Sequence, residues 1–473
     1  DVSFDFRATT PGTAVLRMQA QMKDSEATDG LQVALPVQLP TTKETAAVSG
    51  HTDGLLVEQM LVPEDAFRDA GGLAVLAAPT ALSGLGESYA YLQDYPFRCL
   101  EQQLSQALPA IVAGDLLTAF GIGDPEAARE QAQTILRQLP TFQGRDGGFH
   151  YWPGSGEAHP YGTAYAVATL AQAKASGFDV SERTLDRGVS FLRSYLRGQF
   201  EQRWQHWPQA SVLATEAMAV HALSLAGQPE AAYATRLFER RSELPVFARA
   251  LLLKAAVREG DRQMRAVLAM ELGNLARIEP TKAWFGESDG EQLWACWHTD
   301  VRTTAIVLQA LLEAEETHPL AERVVRWLLA RRRGAHWGNT QENVSALQAM
   351  AAYFRRYEKQ DPAFTARVRL AGREVLAASF HQRTAAPRDT LFAMADLPAG
   401  ASLPLEFSKE GAGNLHYSLR LTSYPKRFAE PRDEGIAVFR EMWPLEEGKK
   451  KPDPYREAPE KLVFAAGSLV RVT

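Results

Sequence analysis

From about Ser83 to Tyr353 the chain is rich in alanine and leucine, with small-residue helical stretches at Thr163 to Ala173, Val212 to Leu225, Thr303 to Leu312 and Asn343 to Tyr353. They recur at intervals of roughly 35 to 55 residues, with one gap of about twice that, the pattern of stacked helical hairpins. An open solenoid and a closed ring both satisfy it. The flanks read differently. Val2 to Phe6 and Ala14 to Ala20 alternate with period two, and short apolar runs follow at Leu31 to Val37, Leu55 to Val62 and Leu73 to Ala78, separated by Asp-Gly, Pro and Gly-Gly turns. After Asp361 strands return at Phe364 to Leu370, Glu374 to Phe380, Leu403 to Phe407 and Leu415 to Leu421. The chain is therefore mixed and multi-domain, helical in the middle and β on both sides; 473 residues suit about three domains.

Hydrophobic residues make up 45% and charged residues 23%, a globular composition, and no apolar run approaches the roughly 20 residues that cross a bilayer. A net charge of −6 argues against nucleic acid as a partner. Arg331-Arg332-Arg333 and Lys449-Lys450-Lys451 are short enough to be solvated loops or helix ends. Two cysteines cannot build a disulfide framework. Neither a start methionine nor a signal peptide or lipidation motif opens the chain, and both ends look cut inside strands. The expectation is a fragment of a larger protein, whose location the fragment itself does not report.

One of the two cysteines, Cys99, stands three positions before Gln102 at the mouth of an apolar helical stretch. Residues three apart share a helix face, so the sulfur and the glutamine side-chain carbonyl can meet. A thiolate attacking that amide expels ammonia and leaves an internal thioester. An amine or hydroxyl can later take the acyl group, because a thiol of pKa roughly 8.5 leaves readily. The competing reading is a buried, inert cysteine beside a surface glutamine.

The run Tyr95-Pro96-Phe97-Arg98-Cys99-Leu100-Glu101-Gln102 closely resembles the thioester signature of the α2-macroglobulin and complement family, its bacterial branch above all. Asp146-Gly147-Gly148-Phe149, with His159 to Tyr165, resembles the family's Gly-Gly-Phe turn and Thr-Ala-Tyr helix. Trp337 to Leu347 is similar to its late Thr-Gln-Asp-x-Val-x-Ala-Leu helix. The three occur in the family's order. Arg98 stands where many relatives have glycine.

The resemblance implies an α/α-toroid thioester domain over residues 83–360, inserted in a CUB-like β-sandwich formed by 30–82 and 361–426. Residues 1–29 would end one macroglobulin-like β domain and 427–473 would begin another, truncated one. It makes Cys99 the acyl carrier and leaving group and Gln102 the acyl donor, with Leu100 and Glu101 completing the motif; the sequence supplies no chemical role for Glu101. Tyr95 and Phe97 would shield the bond from water. His206, between Trp204 and Trp207, is the candidate for assisting hydroxyl nucleophiles, and without it lysine amines attack directly. The implied function is a broad-spectrum protease trap: cleavage of a bait region, which this chain lacks, exposes the thioester, and an attacking protease is captured through lysine amines. Such a protein is not an enzyme, needs no cofactor and no metal, and is expected as a monomer in the bacterial periplasm, lipid-anchored or free, with no membrane contact in this region.

Two other classes remain alternatives. An α/α-toroid enzyme, zinc prenyltransferase-like or glycan-processing, would use Cys296-Trp297-His298-Thr299-Asp300 as a metal cluster, although one short cluster is a weak zinc signal. A passive adhesion or scaffold module would keep the thioester box as a vestige or for surface attachment.

Overall fold

The computed structural model describes the chain except residues 1–5, 8–11, 24–26, 38–40, 84, 155, 201–202, 205, 289, 334–335, 427–441, 445–469 and 473. It divides into two units, Asp1–Thr42 with Pro425–Thr473, and Lys43–Tyr424. In the first, β1 (Gly12–Gln21) and β2 (Thr28–Val37) form an antiparallel ladder from Gly12↔Val37 to Gln21↔Thr28. The sequence reading assigned residues 30–37 to the sandwich around the helices. They pair instead with β1, each β2 residue finding a partner across a short connection that costs little closure entropy. The strand expected at Val2 to Phe6 and most of 427–473 lie outside the described residues.

The second unit opens with β3 (Glu44–Thr52), β4 (Leu56–Leu61) and β5 (Gly72–Ala78). Among the described residues twelve α-helices follow. They are α1 (Gly86–Gln93), α2 (Leu100–Ala119), α3 (Pro125–Gln138), α4 (Pro160–Ala175), α5 (Glu182–Leu196) and α6 (Gln209–Leu225). The second half comprises α7 (Ala231–Glu239), α8 (Val246–Glu259), α9 (Arg262–Asn274), α10 (Asp300–Ala314), α11 (Ala321–Ala330) and α12 (Thr340–Tyr357). A two-residue hairpin, β6 (Arg277–Ile278) with β7 (Ala283–Trp284), lies between α9 and α10. Five strands complete the unit: β8 (Ala363–Leu370), β9 (Arg373–Phe380), β10 (Arg388–Ala393), β11 (Ser402–Ala412) and β12 (Leu415–Ser423). In the first unit, β13 (Met442–Pro444) pairs with β14 (Val470–Val472).

The even-numbered helices pack each against the next, and α12 returns to α2, so the inner layer closes. Their composition explains the placement. On α4 every residue from Pro160 to Ala173 except Gln172 is buried, so the helix needs neighbours all round, and its alanines let them approach. The odd-numbered helices pack outside them. On α5, Leu185, Gly188, Val189 and Leu192 form one buried stripe and the other face is polar, as an outer helix requires. Among the described residues no helix is long and apolar enough to cross a membrane.

The strands before and after the helices form two four-stranded antiparallel sheets, ordered β10-β5-β12-β3 and β4-β11-β8-β9. Leu419 opposes Val75 on one side and Val48 on the other, and Phe407 opposes Leu56. Val75, Leu419, Leu405, Phe407 and Val368 share one buried core. Chain segments on either side of the helices thus hold each other's edges, which fixes both ends of the helical layer.

Candidate functional site

Cys99 is the N-cap of α2, with extended backbone (φ −69°, ψ 169°), so its side chain turns back over the first helical turn. Its sulfur accepts the backbone N–H of Gln102, and the Gln102 side-chain oxygen accepts the N–H of Cys99 at 3.0 Å. This is a capping box in which cysteine replaces the usual serine or threonine. It brings thiol and carboxamide across a single turn, as the spacing requires. Cys99 is 8% exposed and Gln102 half-buried. Burial pushes the Cys99 thiol pKa up, the Gln102 N–H counters, and the Glu101 charge adds to the rise. Arg98 is absent from the residues with left-handed φ, so glycine is not required there; its carbonyl accepts Gln103 Nε2 at 3.0 Å.

Glu101 points the other way, into the helical layer, and is 7% exposed. Its carboxylate accepts the Thr340 hydroxyl at 2.8 and 3.0 Å, Gln341 Nε2 at 2.8 Å and the Ser105 hydroxyl at 2.7 Å. Ser105 spends its one proton on the carboxylate, so at 3.0 Å the Tyr165 hydroxyl must be the donor to Ser105. Gln341 offers its nitrogen to Glu101 and its oxygen to Arg302 Nε at 3.0 Å. Arg302 is itself 3% exposed, hydrogen-bonds the Tyr161 hydroxyl and lies over the Phe247 ring at 5.1 Å. A buried carboxylate and a buried guanidinium are therefore bridged by one carboxamide. Sequence reading found Glu101 without a role and passed over Arg302, whose short helical context resembles any surface arginine.

The second motif works from the opposite side. Gly147 has φ +91°, and a Cβ there would lie 2.4 Å from the Arg187 carbonyl oxygen, so only glycine fits. The turn delivers Phe149, fully buried, whose N–H donates to Thr163 Oγ1 at 2.8 Å. Two residues on, the Tyr151 carbonyl accepts the Leu100 N–H at 2.9 Å, satisfying an N–H of the first turn of α2. The Tyr151 hydroxyl accepts Trp297 Nε1–H at 2.6 Å; burial, then the nearby Cys99, raise its pKa. Trp297 holds a left-handed φ of +54°, uncommon for a bulky residue, with its ring parallel to His159 at 6.1 Å. Burial lowers the His159 pKa to about 4, and its Nδ1 accepts the Gly162 N–H at 3.0 Å. Nothing in the sequence singled out Tyr151, and Trp297 drew notice only as part of the Cys296–Asp300 stretch. All three stretches noted in the sequence thus converge on one turn: the box supplies Cys99 and Gln102, the glycine turn holds Leu100, and Thr340-Gln341 hold Glu101.

Tyr95 is half-buried in an aromatic row, 5.5 Å from Tyr91 and 6.1 Å from Phe97, and Tyr91 stacks on His336 at 4.2 Å. Phe97 is 63% exposed and meets only the edge of this row. His206 is exposed and lines an open recess with Tyr151, His159, Trp207 and Trp294. The Cys296–Asp300 stretch does not converge. The Cys296 sulfur faces the Ser211 carbonyl at 3.6 Å and Thr215 Oγ1 at 3.8 Å, while His298 faces Thr303 and Asp300 and lies parallel to Phe247. Burial pushes the Cys296 thiol up to about 12. Among the described residues no group of three acidic, histidine or cysteine side chains could hold a metal.

A closed double layer of helices carried between two halves of a β-sandwich, with a Cys-x-x-Gln capping box at the start of an inner helix, defines a class of mixed α and β proteins. No family model matches the chain. It is 25% identical over 458 residues to an α2-macroglobulin homologue of Nostoc, covering 93% of this chain and 23% of that protein. It is 27% identical over 261 residues to Escherichia coli α2-macroglobulin, covering 53% of this chain and 15% of that one. The crystal structure of native Escherichia coli α2-macroglobulin from domain MG7 to the C-terminus superposes with a TM-score of 0.64 at 19% identity, over 93% of this chain and 67% of that chain. Salmonella α2-macroglobulin reacted with methylamine gives a TM-score of 0.62 at 22% identity, over 92% of this chain and 27% of that chain. The chain is a relative of the bacterial α2-macroglobulins and has the fold of their C-terminal region, spanning about a quarter of the length of the Nostoc protein.

Proposed function

We propose that the chain is the thioester-bearing part of a protease trap of the bacterial periplasm, with the helical layer an α/α toroid set in a CUB-like sandwich. The observation that carries the reading is the reciprocal capping box, in which the Cys99 sulfur accepts the Gln102 backbone N–H and the Gln102 side-chain oxygen accepts the Cys99 N–H, so that both side chains lie on the same first turn. Thiol attack on the Gln102 amide carbon forms the C–S bond and releases ammonia. The trap then fires when proteolysis elsewhere in a longer protein uncovers the bond. A lysine amine attacks the acyl carbon of residue 102, the C–S bond breaks, and Cys99 departs as thiolate that takes up the proton the attacking nitrogen loses, leaving an amide. The burial that raises the Cys99 pKa penalises that thiolate while the site is closed, and opening relieves the penalty. Tyr95 serves as a lid, Phe97 adds cover once a neighbouring surface lies against it, and His206 stays peripheral, leaving lysine amines as the nucleophiles. One capture consumes the bond, so the protein is an inhibitor and not an enzyme. Support comes from relatives described as reacted with methylamine and as activated by trypsin or elastase.

The experiment is an intact mass with thiol titration on the natural, full-length protein. It should be lighter than its sequence by one ammonia, and methylamine should restore mass while freeing one thiol. A Cys99→Ala variant should do neither. A free Cys99 thiol and full mass from the outset would overturn the reading.

A further inference from the structure

The open recess beside the capping box has walls that the mechanism above does not use. Tyr151, His159, Trp207 and Trp294 line it, with Glu157 and His206 at its edge, around a cavity of about 280 Å³. The rings meet at steep angles and do not stack. Tyr151 and His159 lie 4.8 Å apart at 63°, His159 and Trp207 5.1 Å at 46°, and Trp207 and Trp294 6.0 Å at 68°. These rings border one shared recess. Trp207 is buried, whereas Trp294 is 57% exposed, so its ring is open to solvent at the recess. Burial keeps His159 uncharged at neutral pH. Glu157 is an exposed carboxylate, and no lysine or arginine is among the described residues lining the cavity. Tyr151 links the recess to the reactive turn: it lines the one, and its backbone carbonyl holds the Leu100 N–H of the other.

We infer that this recess is a docking subsite for an alkylammonium group, the side chain of an incoming lysine, which it holds beside the acyl carbon of residue 102. Ring faces attract a cation through their quadrupoles, and the rim carboxylate adds charge of the right sign. The inference rests on the thioester reading for its purpose but not for its binding chemistry. The docked ammonium gives one proton to solvent, the free amine nitrogen bonds to the acyl carbon, the C–S bond breaks, and the second nitrogen proton passes to the departing Cys99 thiolate, leaving an amide and a thiol. The recess thus selects primary amines on a flexible, unbranched stem over neutral hydroxyl nucleophiles.

The test has two arms on the whole chain at about pH 8. In the first, tetramethylammonium is titrated against tryptophan fluorescence in the Cys99→Ala variant, with neopentyl alcohol as the uncharged match in size. Saturable binding of the cation alone is expected, weakened about 2- to 30-fold by Trp294→Leu or Glu157→Gln, the range a cation–ring contact spans. Trp294 and Glu157 are exposed, so these variants should fold; circular dichroism checks it. In the second arm, thiol release from the natural, full-length protein is timed with Nα-acetyl-lysine amide and with hydroxylamine. Tetramethylammonium should compete with the lysine compound, and W294L should slow that reaction and spare hydroxylamine. Absence of saturable cation binding, or equal binding of the alcohol, overturns the subsite whatever the state of the thioester. Failure of hydroxylamine to release any thiol overturns the thioester reading and leaves the binding arm to decide the recess.

Discussion

Glu101 and Thr340 are 239 positions apart, yet the threonine hydroxyl lies 2.8 and 3.0 Å from the two oxygens of the buried carboxylate. This contact ties the turn that carries Cys99 and Gln102 to the first turn of α12, where the closed layer of inner helices is completed. Glu101→Ala should therefore leave Thr340, Gln341 and Ser105 without their acceptor and cost about 3–5 kcal/mol. Glu101→Gln keeps shape and part of the bonding, and should cost about 1–3 kcal/mol. Urea unfolding measures both. A purely structural role would spare chemistry in the folded Gln variant. A positioning role would lower the yield of thioester formed from Cys99 and Gln102, read as residual free thiol in folded protein.

Tyr95 and Phe97 separate the two kinds of cover. Tyr95 packs on Tyr91 inside the unit, whereas Phe97 lies open. In the full-length protein, Tyr95→Gly should speed methylamine-driven thiol release about tenfold or more, a loss of about 1.4 kcal/mol of protection. Phe97→Ala should do so only where another surface of the longer protein rests on the ring. Unchanged release in the Tyr95 variant would remove it from the lid.

Much of this was legible in the chain. The small-residue stretches Thr163 to Ala173, Val212 to Leu225, Thr303 to Leu312 and Asn343 to Tyr353 are cores of α4, α6, α10 and α12, all inner helices, because burial all round selects alanine along the whole length. The outer helices were less visible, since an amphipathic surface helix looks alike in any fold. β10, an edge strand opening Arg388-Asp389-Thr390, gave no alternation to read. At the site, Cys99 and Gln102 were found because their spacing is local. Tyr151, Trp297 and Arg302 were not, because their partners lie 146 and 141 residues away and no periodicity encodes such a meeting.

Cys296 supplies an internal control for every thiol measurement. With its pKa at about 12 and no exposed surface, it should not react in the folded protein at about pH 8, so native titration after methylamine should count Cys99 alone. Cys296→Ala should leave that count unchanged, whereas denaturation of the parent should add one thiol. A second thiol appearing in the native protein would show that the turn carrying Cys296 opens away from α6 on the timescale of the assay.

The last prediction concerns acid. His416 on β12 is 5% exposed and faces His51 on β3, with Arg326 and Glu322 from α11 and Glu358 just beyond α12 completing its surroundings. Burial first, then His51 and Arg326, lower its pKa to about 3, and neither ring nitrogen has a hydrogen-bond partner. In the unfolded chain the imidazole takes its proton near pH 6.5. The folded state keeps His416 neutral, so its contribution is full above that value and is lost as pH falls toward 3. Glu358 acts in the opposite sense. Burial raises its pKa from 4.5, so its contribution is present in acid and lost as pH rises through the raised value. Comparing proteins that differ only at position 416 isolates the histidine. Between pH 7 and pH 5 the parent should lose about 2 kcal/mol more stability than His416→Asn, measured as urea midpoints at each pH. Equal losses would mean that His416 gains its proton without unfolding, with Glu358 or Glu322 turning to meet it.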